Sequence, residues 1–255
     1  MEPLSVTTLI LIFVVTFLTK TYGTIIGGAS FILQPFLIAM GIPPHMAVAH
    51  DIAGTNGVTV TGGYVFFKSG HIDLRVALYT LPGVIIGPVI GVYFLNSTTP
   101  ETLEKFIAVI SFIGASYMLL KYNKVIGKVR AAPHPFLSRY RPYLGMLFGL
   151  VIGTYIGFSG AGGGILSGLL LISVMNLSVL QTIATKRFIH APAFIISAGA
   201  YYYMGWLDPM LFFTVFTACL AAGFVGSHMS LRINEKILGY IFIAAAAIMA
   251  LLILF

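Results

Sequence analysis

The chain has 255 residues, of which 58% are hydrophobic and 8% charged, and its net charge is +7. A soluble domain carries about 25% charged residues, so this chain cannot cover itself with a water-facing surface, and its solvent is lipid. No alternating pattern between short turns recurs along it, which argues against a closed barrel and for a helical bundle, the other structure that satisfies its own backbone in hydrocarbon.

In chain order, the opening Met1-Glu2-Pro3-Leu4-Ser5 has neither a basic stretch nor a small-residue cleavage site after its apolar run. It is expected to be a retained membrane segment, not a signal peptide. Five apolar segments follow in the first half, at roughly 4–22, 29–41, 46–67, 74–95 and 102–121. Five more lie at roughly 141–158, 163–175, 179–203, 209–228 and 237–255. In each half a glycine-rich stretch separates the first segment from a second that is too short to span. These stretches are Thr21-Tyr22-Gly23-Thr24-Ile25-Ile26-Gly27-Gly28-Ala29-Ser30 and Tyr155-Ile156-Gly157-Phe158-Ser159-Gly160-Ala161-Gly162-Gly163-Gly164. Each pair is read as a hairpin that enters and leaves on one side, with its tip within the membrane or near the far face. Broken helices at corresponding places of two halves point to a transporter binding site.

The predicted fold is therefore an all-α polytopic membrane protein. It is an inverted repeat of two five-segment halves, each a glycine-broken hairpin followed by three spanning helices. Residues 1–121 form the first repeat, 122–140 a basic linker and 141–255 the second repeat. Inversion follows from parity, since an odd number of segments starts the second half on the opposite face. Six of the fourteen basic residues (Lys121, Lys124, Lys128, Arg130, Arg139 and Arg141) fall at the junction. Read as a cytoplasmic loop, that linker brings Lys68, His71 and Arg75 inside, with Arg232 and Lys236. Glu101 and Glu104 go outside, as do both termini. Attraction to anionic lipid headgroups accounts for the basic cluster, so no nucleic-acid partner is expected. Glycines four apart, Gly83, Gly87 and Gly91, and the pair Ala222 and Gly226, are helix-packing stripes; Pro82 and Pro88 would kink their helix. The run Tyr201–Trp206 reads as an interfacial belt, and the single Cys219 as a packing residue.

The second glycine cluster, Gly160-Ala161-Gly162-Gly163-Gly164, and its degenerate partner Ile26-Gly27-Gly28-Ala29-Ser30 are each followed by a short helix and a segment with a small polar motif. Those motifs are Ala49-His50-Asp51-Ile52-Ala53-Gly54-Thr55-Asn56 and the more divergent Ala184-Thr185-Lys186-Arg187-Phe188-Ile189-His190. Over essentially its whole length the chain resembles the sulfite exporter TauE/SafE family of membrane permeases. The resemblance implies export of small sulfur-containing anions, sulfite or organosulfonates, across the cytoplasmic (inner) membrane of a bacterium or archaeon.

Candidate substrate-binding residues start with the two helix beginnings, Gly28, Ala29 and Ser30, and Gly162, Gly163 and Gly164. Helix N-termini offer unpaired N–H groups and positive dipole ends to an oxyanion; tight packing is the competing explanation. Lys186 and Arg187 would bind anion oxygens or, alternatively, snorkel to the cytoplasmic surface. Thr55, Asn56 and Ser159 could donate hydrogen bonds, although Asn56 could instead satisfy a backbone carbonyl near Gly54 or Gly57. Asp51, His50, His190 and Lys20 are coupling or gating candidates, because ionisable groups in a bilayer are costly and face the interior. Asp51 is expected to pair with Lys186 or Arg187 in the empty site or to accept a proton. Lys20 is a buried cation if the hairpin tip lies at mid-membrane, and reaches water if the first leg crosses fully. The chain carries no metalloprotease, nucleophile-elbow, phosphate-loop or dinucleotide motif, so no enzyme, metal or cofactor is expected. The expected partners are a small anion and lipid, and self-association stays open. A passive anion channel and a non-transporting assembly subunit are the rival readings.

Overall fold

The computed structural model describes residues 4–25, 27–109 and 140–232. The linker at 122–139, most of the segment at 102–121, the segment at 237–255 and both chain ends lie outside them. Every described element of regular structure is a helix. The first half holds α1 (Val6–Ile25), α2 (Ser30–Ala39), α3 (Pro44–Lys68), α4 (Leu74–Asn96) and the helical stretch α5 at 100–109. The second holds α6 (Arg141–Phe158), α7 (Gly163–Ser173), α8 (Val179–Tyr203) and α9 (Pro209–Ser230).

Local chemistry fixes where these helices begin. Pro44 opens α3, where a missing N–H costs nothing. The Asp73 carboxylate accepts from the Val76 amide at the start of α4, and Asp208 does the same for Leu211 at the start of α9. Ser178 and Gln181 form a reciprocal capping box on α8. The helix starts Val6, Pro44 and Leu74 recur at Arg141, Val179 and Pro209, 135 residues later in each case. Prolines 82 and 88 lie inside α4, which is helical throughout.

At 1.5 Å per residue, α1 is about 30 Å long and can span a bilayer core, while the ten residues of α2 reach about 15 Å and cannot. The chain turns back at the glycine break, and α2 retraces α1: Leu33 and Leu37 share a buried cluster with Ile12 of α1 and Leu211 of α9. Helices α1, α4 and α9 are each long and apolar enough to cross a membrane. They turn Ile10, Leu18, Ile85, Val89, Phe213 and Phe224 outward. The helices α3 and α8, with Lys20 of α1, carry the buried ionisable residues of the interior.

The halves interlock by exchange. Helix α1 packs on α9 and α4 packs on α6, so the first helix of each half meets the fourth of the other, while α3 and α8 meet each other. The α4–α6 seam is built on glycine from both sides. A Cβ on Gly83, Gly87 or Gly91 would run into the Met146, Leu150 or Thr154 carbonyl oxygen, and one on Gly149 or Gly157 into the Thr80 or Pro88 oxygen. Such close backbone approach is how helices gain contact in lipid. The register of this seam advances together, 83 to 91 against 146 to 154, so α4 and α6 run parallel. By the same reading α3 and α9 run parallel, with Gly54 on Val215 and Gly62 near Gly223. Helices α3 and α8 run antiparallel: Asn56 reaches Phe194, and Gly62 lies near Arg187.

Tyr201 departs from the interfacial-belt expectation. It is fully buried, and its Oη donates to the Gly157 oxygen at 2.8 Å. Its neighbours Tyr202 and Tyr203 are exposed as a belt would require. Cys219 is buried in the cluster around Leu33 and Val215.

Candidate functional site

Two interrupted elements meet inside the bundle. Gly27 and Gly28 take φ of +103° and +82°, and Gly160 and Gly162 take +64° and +75°. Side chains rarely adopt this left-handed region, so glycine here is a geometric requirement of each break. The breaks abut. Phe31 of the first break lies where a Cβ on Gly162 would fall, and a Cβ on Gly164 would sit 3.6 Å from the Gly27 Cα. Neither short helix has a side-chain cap on its first turn: α2 follows Ala29 and α7 follows Gly162.

A cavity of about 60 Å³ lies where they meet. Gly28, Ala29, Ser30, Gly162 and Gly164 line it from the breaks, Lys20 and Thr24 from α1, Thr55 from α3, and Lys186, Arg187 and His190 from α8. Thr55 and His190 stand near the middle of α3 and α8, the two longest described helices.

The cations on its wall are held differently. Lys20 forms an ion pair with Asp51 and also donates from Nζ to Thr55 Oγ1 at 2.7 Å. Thr55 Oγ1 in turn donates to the Asp51 backbone oxygen at 2.7 Å. The second carboxylate oxygen of Asp51 accepts from Gln34 Nε2 at 2.8 Å. Among the described residues, neither Lys186 nor Arg187 has such a carboxylate. Lys186 Nζ donates to the Gly164 oxygen at 3.0 Å, and Arg187 Nη2 donates to the Thr24 oxygen at 3.2 Å. Arg187 Nε and His190 Nε2 are buried without a hydrogen-bond partner among the described residues. Lys186 and His190 are each 5% exposed and Arg187 8%, so neither cation reaches the exterior by snorkelling.

The expected pairing of Asp51 with Lys186 or Arg187 is not what forms. Asp51 pairs with Lys20 of its own half. The antiparallel crossing explains this. The helices touch at Asn56 and Phe194, and Asp51 and Lys186 both precede that contact in sequence, so they lie on opposite sides of it.

Gln34 is the residue that sequence reasoning passed over. It is fully buried, and its Nε2 donates to the Ser159 oxygen at 2.6 Å as well as to Asp51, while Ser159 Oγ donates to its Oε1 at 3.3 Å. A lone amide in a short apolar helix was the available signal, since buried polar groups demand partners. Of the remaining candidates, Asn56 takes the alternative considered for it and donates to the Ala53 and Phe194 oxygens at 2.9 and 3.1 Å. His50 bridges elements away from the cavity. Its Nδ1 donates to the Met46 oxygen at 2.7 Å, and its Nε2 accepts from the Asp208 amide at 3.0 Å. Gly163 packs beside Tyr155 and Ile156. No cluster of metal-ligand type occurs among the described residues.

This is the architecture of an all-helical, multi-pass membrane protein. Residues 12–253 match the family described as sulfite exporter TauE/SafE, and the chain belongs to that family. It is 22% identical over 229 residues to the probable membrane transporter protein YdhB of Bacillus subtilis strain 168, covering 90% of this chain and 92% of the relative. A second relative from that strain, the probable membrane transporter protein YjnA, is 25% identical over 225 residues, covering 85% and 87%. A probable membrane transporter protein of Haemophilus influenzae is 23% identical over 183 residues, covering 70% and 68%. No solved structure matches the chain.

Proposed function

We propose that the protein is a permease for small sulfur-containing anions, sulfite or an organosulfonate, and not an enzyme. The cavity between the glycine breaks would be its binding site. One observation carries this reading: two buried cations, Lys186 and Arg187, line a cavity with no carboxylate among the described residues in contact with either. Burying an unpaired charge is costly, so such a site gains most from an anionic guest. Arg187 offers a planar fork for two oxygens and Lys186 a point charge, with the uncapped first turns of α2 and α7 adding positive dipole ends. Ser30 would contribute a hydroxyl donor, whereas the Thr55 hydroxyl proton is already given to the Asp51 backbone oxygen.

The helix directions support an inverted arrangement of the halves. Helices α3 and α8 occupy the same place in their halves and run antiparallel, while α4 and α9 each run parallel to a helix of the other half. In such a bundle, access would alternate as the halves rock about the paired breaks. The Lys20–Asp51 pair would be the gating element, and a proton on Asp51 would free Lys20. The basic residues Lys68, Arg75 and Arg232 would face the cytoplasm, and the acidic Glu101 and Glu104 the outside of the inner membrane.

Purified protein in liposomes tests the reading. Saturable sulfite flux above that of protein-free vesicles is expected, and Lys186→Ala and Arg187→Ala should each weaken apparent affinity about tenfold, the size of a lost charged hydrogen bond. Flux equal to protein-free vesicles would overturn the proposal. Flux that never saturates would identify a channel.

A further inference from the structure

The helices that are locked together are not the helices that follow one another in sequence. Backbone meets backbone along three seams. One is the glycine seam of α4 and α6. On the second, a Cβ at Gly57 of α3 would fall 2.5 Å from the Phe216 oxygen of α9, and one at Gly223 of α9 would fall 2.7 Å from the Val58 Cα of α3. On the third, a Cβ at Gly226 of α9 would fall 2.6 Å from the Thr21 oxygen of α1. Backbones packed this closely cannot slide past one another without a clash. Side chains fasten the same groupings. Lys20 of α1 and Gln34 of α2 hold Asp51 of α3, and Thr61 Oγ1 donates to the Leu220 oxygen of α9 at 2.8 Å. Tyr201 of α8 donates to Gly157 of α6, and Lys186 of α8 to Gly164 of α7. Two matched clasps complete the sets. The Asp208 amide donates to His50 Nε2 at 3.0 Å, tying α9 to α3, and the Asp73 amide donates to Thr185 Oγ1 at 2.9 Å, tying α4 to α8. One body is therefore α1, α2 and α3 with α9, and the other is α6, α7 and α8 with α4.

Contact between the bodies is of another kind. It is made by side-chain ends: Arg187 on the Thr24 oxygen, Asn56 on the Phe194 oxygen, Gln34 with Ser159, and Phe66 packed with Ile183 and Ala184. His45 Nε2 of α3 is shared between the Leu95 and Thr98 oxygens at the end of α4, at 3.2 and 2.9 Å. The cavity lies in this seam, with Lys20, Thr24 and Thr55 on one wall and Lys186, Arg187 and His190 on the other. Among the described residues the chain crosses from one body to the other at 69–73 and at 204–208. Each crossing holds a left-handed glycine, Gly70 at φ +71° and Gly205 at φ +72°, and a Cβ on either would meet nothing within 4 Å. Short connections of this kind absorb the backbone rotation of a hinge. We infer that the rigid units of transport are these two exchanged bodies, rocking about hinges at Gly70 and Gly205 and parting between α3 and α8. The inference rests on the permease reading and names its moving parts: the fourth helix of each repeat travels with the opposite repeat.

Two cysteine pairs, placed in the full-length chain with Cys219→Ala, separate exchanged bodies from sequence halves. Gly62 and Ser227 belong to different repeats but to one body, and a Cβ on Gly62 would sit 3.9 Å from the Ser227 Cβ, within the range of a disulfide. His45 and Thr98 belong to one repeat but to different bodies. In liposomes, oxidising Gly62→Cys with Ser227→Cys should leave sulfite flux within about twofold of the reduced form, because the bridge joins parts that already move together. Mass spectrometry after the assay verifies that the bridge survived sulfite. Joining His45→Cys to Thr98→Cys with a short bismaleimide should lower flux about tenfold or more, because it ties the bodies to each other. Each single-cysteine variant should keep its flux under the same reagent. The reverse pattern, flux lost with the first pair bridged and kept with the second, would show that the sequence halves move as units and would overturn the inference. Flux kept in both or lost in both would overturn it as well. If the buried pair does not fold, the pair at the end of α4 decides alone. In each of these cases transport itself would stand, whereas no flux from the wild type would sink the permease reading and this inference with it.

Discussion

Asp51 in α3 and Lys186 in α8 hold the same place in matching helices, 135 residues apart like the helix starts themselves. Their surroundings are opposite. In the first half the charge is closed on itself: Lys20 reaches across from α1, and Gln34 and Thr55 complete the shell. In the second half the position matching Lys20 is Tyr155, whose hydroxyl donates to the Ala161 oxygen at 2.5 Å, and Lys186 is left with a backbone carbonyl. One scaffold thus carries two electrostatic arrangements, a buried ion pair in the first half and, in the second, two buried cations with no carboxylate partner among the described residues. Functional sites are where such local conflicts are expected.

The contrast breaks most violently at Asp51. Asp51→Asn strands Lys20 in the interior and is expected to cost about 3–5 kcal/mol, read as a large drop in melting temperature in detergent. The double change Lys20→Met with Asp51→Leu, which removes both charges, should recover most of that loss. Next in size is the scaffold common to both halves. Gly87→Leu forces a side chain into the α6 backbone at Leu150 and Thr154 and should destabilise by about 3 kcal/mol, whereas Gly199→Ala, with open space around it inside α8, should not lower the melting temperature. Gln34→Leu removes the amide shared by Asp51 and Ser159 and should cost about 1–3 kcal/mol. The smallest effect carries the opposite sign. Lys186→Met relieves an uncompensated buried cation and should raise the melting temperature of the anion-free protein by a few degrees, an increment of about 1 kcal/mol, while weakening stabilisation by sulfite. A lower melting temperature in Lys186→Met would erase the distinction between the halves.

Much of this was written in the sequence. The apolar runs and glycine breaks fixed the described helices to within a few residues, because in lipid the length of an element is set by the membrane. Lys20, Asp51, Lys186, Arg187 and His190 stood out as costly residues in apolar segments, and they do meet around the cavity or its ion pair. The partners were not legible. That Asp51 takes Lys20 and leaves Lys186 follows from how α3 crosses α8, a relation no local pattern encodes. Gln34 escaped because it carries no charge. Tyr201 turned inward because its hydroxyl found the Gly157 carbonyl, whereas an aromatic run alone suggests an interface.

The Gln34 amide joins more than two residues. Its single nitrogen donates to a carboxylate of one half and to a carbonyl at the break of the other, 125 positions away in the chain. Any rearrangement that draws Ser159 away from α2 must break that link, one of several between the halves beside Asn56 to the Phe194 oxygen and the Asp208 amide to His50. A shorter or apolar residue at position 34 would loosen the resting form and speed its departure.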